Sequence, residues 1–147
     1  MNGKRFILLF LGSVIIFTVA LFYFQNYAYY HSTDVKQKIL FGNKRYDISN
    51  YQGIDSDSSG LKLRECFVVD KLEDVDLPKY KKPTPLTAPF WFKCFNAESI
   101  TKDLADGKAT AFLFKKEEFD GIDNVIAIYP DGRSYRWRQL NTKYMKE

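Results

Sequence analysis

Residues 6–24 read FILLFLGSVIIFTVALFYF, a run of nineteen residues that has no charged side chain, no proline and no amide. As an α-helix rising 1.5 Å per residue, this run is roughly 28 Å long, close to the bilayer hydrocarbon thickness of about 30 Å. A helix satisfies its own backbone hydrogen bonds, which lipid cannot do for it. The run therefore predicts one transmembrane helix, with the lipid bilayer as its partner.

The residues that flank this run suit the two surfaces of a membrane. Lys4 and Arg5 precede it, and four tyrosines lie at or beyond its other end: Tyr23, Tyr27, Tyr29 and Tyr30. Tyrosine favours the headgroup region, and basic residues favour the cytoplasmic side. These six side chains are therefore predicted to anchor the helix at the membrane interfaces.

Two alternatives compete with an uncleaved anchor. A signal peptide has an apolar core of about 7–15 residues and a small-x-small cleavage site, whereas residues 20–25 read ALFYFQ. A core helix of a soluble protein normally carries a polar face, which this run lacks. The uncleaved anchor fits the sequence better than either alternative.

The charge pattern favours a cytoplasmic N-terminus, although Lys36, Lys38 and Lys44 compete from the other side. This orientation predicts a single-pass membrane protein whose C-terminal domain is exported. The chain then divides into four segments: cytoplasmic residues 1–5, transmembrane residues 6–24, a juxtamembrane stalk at 25–34 and an exported domain at 35–147.

The composition of the domain argues against a nucleic-acid partner. The 147-residue chain has a net charge of +4, and Lys4 and Arg5 supply +2 of it, which leaves +2 for the rest. A charge this small gives no basic surface for nucleic acid. The 13 Phe, 10 Tyr and 2 Trp of the chain supply bulky material for a core instead.

The chain contains two cysteines, Cys66 and Cys94, each among apolar and aromatic neighbours. An even number in an oxidising compartment favours a disulfide. Two buried free thiols, as in a cytosolic domain, are the alternative. No CxxC pair is present and the one histidine, His31, adjoins the membrane segment, so neither a metal site nor a cofactor is predicted.

Turn and capping signals predict an α+β domain, an antiparallel sheet with one short helix. Residues 35–41 and 44–49 form a first hairpin around Gly42, and residues 124–129 and 133–140 form a second around Pro-Asp-Gly. Asn96 is the expected N-cap of a helix over 97–105 that Gly107 ends. The remaining segments are predicted as a loop at 53–60, a strand at 61–69, an extended connection at 77–89 and a strand at 109–114.

Two groups of side chains are candidates for ligand binding. Asp55 and Asp57 resemble the opening of an EF-hand loop, but the position of its bidentate acid is Cys66, which favours an ordinary turn. Trp91 and Trp137 could line a groove beside Arg136, although core packing is the simpler account for aromatic residues.

The arginines of the last strand have a simpler interpretation as well. Arg136 and Arg138 alternate with the aromatic positions of this strand, and together with Arg133 they could contact anionic headgroups or a partner, although a solvated outer face of the sheet is the simpler account. No spacing of nucleophile and base and no phosphate-binding loop is present, so no catalytic residue is predicted.

Four blocks of sequence resemble a family of bacterial single-span membrane proteins whose domain has no assigned function. They are residues 22–30 (FYFQNYAYY), 53–67 (GIDSDSSGLKLRECF), 85–95 (PLTAPFWFKCF) and 121–141 (GIDNVIAIYPDGRSYRWRQLN). The resemblance implies a membrane anchor, and both cysteines lie inside the shared blocks. Since the family is bacterial, the predicted orientation corresponds to a protein of the bacterial inner membrane with its C-terminal domain in the periplasm. Such sequences are sometimes labelled "histidine kinase", which one juxtamembrane histidine and the missing nucleotide-binding loop do not support.

The sequence therefore favours a non-enzymatic accessory or assembly module that is tethered to the membrane and docks on another membrane protein. A ligand-binding or sensory domain that uses Asp55 and Asp57 or the two tryptophans is the alternative. An enzyme is the third hypothesis.

Overall fold

The computed structural model describes residues 2–72 and 74–144. Helix α1 spans Gly3–Tyr23 and continues as a π-helical turn over Phe24–Ala28. Asn2 caps its start, because the Asn2 side chain accepts a hydrogen bond from the Lys4 amide at 3.3 Å. None of the α1 side chains is buried against the protein, and within the described residues this is the one helix long and apolar enough to cross a membrane.

The domain that follows is an antiparallel sheet of seven strands with one helix. The strands are β1 (His31–Ser32), β2 (Lys38–Phe41), β3 (Lys44–Asp55), β4 (Arg64–Val69), β5 (Thr110–Phe119), β6 (Ile122–Ile128) and β7 (Arg133–Leu140). Their order across the sheet is β1-β3-β4-β7-β6-β5, and β2 pairs with the first half of β3. Helix α2 spans Ala97–Ala105. This architecture confirms the predicted fold class.

Local capping chemistry explains where α2 begins and ends. The Asn96 side chain accepts a hydrogen bond from the Ser99 amide at 3.0 Å, which satisfies one of the free amides at the helix start. Gly107 follows the helix with φ +76°, a conformation that glycine adopts without steric cost. Ile100 faces the core. The predicted helix and both of its capping residues are confirmed.

Both predicted hairpins are present, while several strand boundaries differ from the prediction. Strand β5 runs on to Phe119 because it pairs with β6 as far as Phe119–Ile122. Strand β3 extends into the segment predicted as a loop, residues 53–60, and ends at Asp55, because β1 and β4 pair with it there. Strand β4 begins at Arg64 rather than Leu61.

The two faces of the sheet form two separate cores. One core lies beneath α2 and the segment that precedes it, and the other lies between the β2–β3 hairpin and strands β4 and β6. The first contains Ile54, Cys66, Phe92, Phe95, Ile100, Val125 and Trp137. The second contains Ile39, Phe41, Tyr46, Ile48, Phe67, Val69, Ile126 and Ile128. The central strands are therefore buried on both faces.

Candidate functional site

A disulfide between Cys66 and Cys94 joins strand β4 to the segment that leads into α2. The two Cα atoms are 6.2 Å apart, and the bridge closes a separation of 28 residues. The predicted pairing of the cysteines is confirmed. The bridge fixes the segment that leads into α2 to the centre of the sheet.

Arg64 binds the last part of the extended connection at residues 77–89. Its guanidinium donates to the carbonyl oxygens of Leu86 at 3.0 Å and Thr87 at 3.2 Å, and to those of Leu61 and Leu63 on its own side. Burial lowers the pKa of Arg64 to about 10, so the side chain remains protonated at neutral pH. Residues 86–94 are thus held to the sheet at both of their ends.

An aromatic junction connects this loop to the end of the apolar helix. The Trp91 indole nitrogen donates to the Asn26 carbonyl oxygen at 2.5 Å. The Trp91 ring stacks on Tyr27 at 5.9 Å with 11° between the planes, and it meets Tyr30 edge-on at 5.9 Å. We call Asn26, Tyr27, Tyr30, Phe90 and Trp91 the anchor junction.

Phe90 extends the anchor junction along the helix. Its ring centroid lies 5.8 Å from that of Phe22 and 6.1 Å from that of Tyr27. Phe90 is 61% exposed. The loop therefore places a largely exposed aromatic side chain beside the last turns of α1.

The predicted interface residues lie at opposite ends of the helix. Lys4 and Arg5 are exposed in its first turn, and Tyr23 stacks on Tyr27 at 6.1 Å near its end. Tyr29 and Tyr30 both lie beneath the Lys62 ammonium group, at 5.2 Å and 5.0 Å. Cation–π contact of this kind holds the basic side chain against the aromatic cluster.

Asp55 and Asp57 do not form one ligand site. Asp55 accepts two hydrogen bonds from Arg138, at 3.1 Å and 3.2 Å. Asp57 is exposed, and its carboxylate lies 3.5 Å from the His31 ring. No group of three or more potential metal-binding side chains occurs in residues 2–72 and 74–144.

Trp91 and Trp137 lie in different parts of the domain. Trp137 is fully buried in the first core, where its indole nitrogen donates to Gln139 at 3.0 Å, whereas Trp91 belongs to the anchor junction. A groove lined by both tryptophans and Arg136 is therefore not formed. Arg136 points to the opposite face, against the Phe114 ring at 4.4 Å.

The prediction of a solvated arginine face on β7 is wrong for Arg136 and Arg138, which are 7% and 8% exposed. Its second face is covered as well, by aromatic rings of β5 that lie 4.4 Å from the Arg136 guanidinium and 4.9 Å from that of Arg138. Arg136 is ion-paired with the buried Glu65, which Lys36 also approaches at 3.7 Å. Arg133 alone of the three is exposed, beside Asp131 at 2.8 Å.

Arg138 and Glu118 form a second ion pair on this face. The Arg138 Nε atom donates to Glu118 at 2.7 Å, and the Asn124 side chain donates to the same carboxylate at 2.8 Å. Burial opposes ionisation of Glu118, but the hydrogen bonds from Arg138 and Asn124 together outweigh it and hold the Glu118 pKa below its ordinary value. The arginines thus neutralise carboxylates that the sheet would otherwise bury alone.

Sequence reasoning missed the role of Glu65, which is 1% exposed. The available signal was its position among the apolar residues Leu63, Phe67 and Val69 on one face of a strand, because a buried carboxylate requires a cationic or hydrogen-bonding partner. The hydroxyl of Tyr51 lies near it, and burial together with the Glu65 carboxylate raises the pKa of Tyr51 to about 12.

A cavity of about 320 Å³ opens where the extended connection crosses the end of β7. Its wall is mostly apolar, and the lining residues are Leu61, Tyr80, Lys82, Thr84, Leu86, Gln139, Leu140, Asn141 and Thr142. The buried Asp123 braces this wall, because it accepts hydrogen bonds from Tyr80 at 3.0 Å and Asn141 at 3.1 Å. Sequence reasoning did not identify this cavity, since its walls come from segments far apart in the chain.

Comparison with known proteins identifies the family of the domain. Residues 36–147 match the family described as "Family of unknown function (DUF6446)". Neither a curated protein nor a solved structure gives a significant match to the chain. The matched region covers more than half of the chain and includes every strand from β2 to β7. The chain therefore belongs to the DUF6446 family of unknown function.

Proposed function

We propose that this protein is a membrane-tethered, non-enzymatic interaction module whose domain docks on another membrane protein. The anchor junction is the observation that carries the proposal. One hydrogen bond and two ring contacts of Trp91 fix the domain to the end of its apolar helix. A domain held in this way keeps one orientation relative to its helix when it meets another membrane protein.

Fixing the orientation of the domain on its helix lowers the free-energy cost of docking. A freely hinged domain loses orientational freedom when it docks, and this loss opposes binding. A domain already oriented by its anchor has less freedom to lose, and a flexible linker would suffice if its only purpose were to stay near the membrane. The anchor junction thus supports lateral docking.

The proposal includes an orientation, with the N-terminus in the cytoplasm of a bacterium and the domain in the periplasm. Lys4 and Arg5 before the helix support it. The Cys66–Cys94 bridge supports it independently, because disulfides persist in oxidising compartments and are rare in the cytosol.

Co-purification of the full chain at its native expression level tests the proposed function. A mild detergent extract should yield a membrane protein in stoichiometric amount, and an equally tagged unrelated single-span protein is the control. A photo-crosslinker at the exposed position Phe119 would show whether the domain, rather than the helix, makes the contact. Recovery of the chain alone, with no crosslink, would contradict the proposal.

The cavity beside β7 supports ligand binding as a second candidate function. Its volume of about 320 Å³ and mostly apolar wall, with Lys82 and Gln139 as polar groups, suit a small amphipathic molecule. A ligand that fills it should raise the melting temperature of the full chain in detergent. Leu61→Trp would fill part of the cavity and should abolish that rise, while silence across a library of small amphipathic compounds would argue against this candidate.

A further inference from the structure

We propose that the loop of residues 86–94 is a second membrane contact, which inserts the Phe90 ring into the bilayer interface beside the point where α1 emerges. The inference rests on the membrane tether of the proposed function. It makes the lipid bilayer a direct partner of the domain, which the sequence alone predicts to be attached to the membrane only through a helix.

The depth of Phe90 follows from its neighbours on the helix. Phe22 lies two residues before the end of the apolar run at Phe24, and Tyr27 lies three residues after that end. At 1.5 Å per residue these two rings bracket a layer of roughly 7 Å around the boundary between acyl chains and headgroups. Because the Phe90 ring contacts both Phe22 and Tyr27, it lies within the same layer.

The exposure of Phe90 fits this position. The ring is 61% exposed to solvent although its chain neighbour Phe92 is only 7% exposed in the first core. An aromatic ring of this kind gains from transfer into the interface, where phenylalanine and tryptophan of membrane-associated segments commonly lie. Phe22 is itself 50% exposed, so the protein leaves a continuous apolar surface there.

The loop is held rigidly enough to serve as a membrane contact. Arg64 binds the carbonyl oxygens of Leu86 and Thr87 before Phe90, and the disulfide fixes Cys94 after it. Trp91 is bonded to the helix itself. The loop therefore need not become ordered when it meets lipid, and that ordering cost is avoided.

Basic side chains border the same surface. Lys93 is exposed three residues after Phe90, and Lys62 lies against the rings of Tyr29 and Tyr30. Ammonium groups at this level face the phosphates of the headgroups, while the aromatic rings face the layer beneath them. The arrangement matches a lipid surface better than an apolar protein groove.

A photo-crosslinker at position 90 distinguishes lipid from protein as the partner that this side chain contacts. The full chain in native membranes carries benzoylphenylalanine in place of Phe90, and a matched chain carries it in place of Leu40. Leu40 is 54% exposed but lies on β2 opposite Arg45, ten residues along β3 from Asp55 at the membrane end. Ten strand residues span roughly 33 Å, so Leu40 is a control of similar exposure at the end of β3 remote from β1 and the helix.

The expected result is a phospholipid mass on the peptide that contains position 90 and none on the peptide that contains position 40. Quenching by lipids brominated near the headgroup gives an independent measurement. It should affect the unsubstituted chain and disappear in Trp91→Phe, because the one other tryptophan, Trp137, is fully buried. A cooperative thermal unfolding transition like that of the unsubstituted chain verifies that each variant is folded.

Two outcomes would overturn the inference in distinguishable ways. A crosslink from position 90 to protein alone, or no lipid adduct, in a chain that resists carbonate extraction would refute the lipid contact and leave the tether intact. Release of the unsubstituted chain by carbonate would refute both the contact and the tethered module.

Discussion

The indole nitrogen of Trp91 donates a hydrogen bond to the main-chain carbonyl oxygen of Asn26, across 65 residues of sequence. Asn26 lies in the π-helical turn that continues α1, and Trp91 lies in a loop that Arg64 and a disulfide tie to the sheet. This bond connects the end of the apolar helix directly to the folded domain. The orientation of the domain on its anchor depends on it.

Replacement of Trp91 by phenylalanine should loosen the anchor junction without unfolding the domain. Trp91→Phe keeps a ring against Tyr27 but removes the N–H donor, a loss of about 1 kcal/mol, which corresponds to about fivefold faster amide exchange by local opening. Hydrogen exchange of residues 24–32 in the full chain measures the effect. Trp137→Phe, which removes an indole donor from the core, should leave exchange there unchanged, and equal rates in all three proteins would contradict the account.

Loss of the disulfide should destabilise the domain strongly. Closing the 28-residue separation between Cys66 and Cys94 constrains the unfolded chain and stabilises the fold by roughly 3–4 kcal/mol on the chain-entropy estimate. Denaturant unfolding with and without a reductant measures this contribution. The double variant Cys66→Ala with Cys94→Ala should match the reduced protein and show no further response to reductant. A midpoint that reductant does not shift would argue against the bridge.

Gly132 tests the turn between β6 and β7. It has φ +94°, and a Cβ atom there would overlap the carbonyl oxygen of Val69 on the neighbouring strand. Gly132→Ala should therefore cost at least about 2 kcal/mol, because the strain of a positive φ and a backbone clash act together. Gly107→Ala has φ +76° but no neighbour within 4 Å of the added atom, so it should cost only roughly 1 kcal/mol. Equal losses for both variants in thermal unfolding would show that the clash is absent.

The Arg138–Glu118 pair predicts acid sensitivity. The folded domain lowers the Glu118 pKa, so the pair stabilises the fold above the ordinary glutamate value of 4.5, and this contribution is lost as the pH falls through the lowered pKa. At neutral pH, Glu118→Gln should reduce the free energy of unfolding by about 1 kcal/mol, a figure discounted for partial solvent exposure.

The difference between Glu118→Gln and the unsubstituted chain should shrink as the pH falls below the ordinary glutamate pKa. Urea unfolding at a series of pH values measures it. Asp34→Asn, which changes an exposed carboxylate outside this network, is the control and should alter stability little at any pH. A constant difference across the series would show that the Glu118 charge is not involved.

The features that could be predicted from sequence depend on neighbours along the chain. Asn96 and Gly107 mark α2 because capping requires only the next few residues. The transmembrane helix could likewise be predicted from the length of the apolar run, and the disulfide from the even number of cysteines. The burial of Arg136 and Arg138 could not be predicted in this way. It depends on Glu65 of β4 and Glu118 of β5 lying beside the two guanidinium groups, a placement that no local pattern specifies.

The candidate site likewise combines features that could be predicted from the sequence with features that could not. The interface tyrosines could be predicted from their position beside the apolar run, and Trp91 could be predicted only as an aromatic residue of the domain. Their meeting at the anchor junction could not be foreseen, because it depends on Arg64 and the disulfide folding residues 86–94 back toward Asn26. The ion pair of Asp55 could not be predicted for a similar reason, since its partner Arg138 is 83 residues away.

The central claim is that α1 crosses the membrane and leaves the domain on the far side. An impermeant maleimide tests it most directly, applied to cells whose outer membrane is permeabilised and whose inner membrane is intact. Cys66 and Cys94 are bridged and do not react with it. Gly3→Cys adds a thiol in open space before the apolar run, and Lys108→Cys adds an exposed one in the domain. The account predicts that Lys108→Cys is labelled at once and Gly3→Cys only after lysis. Labelling of both positions from the same side would contradict it.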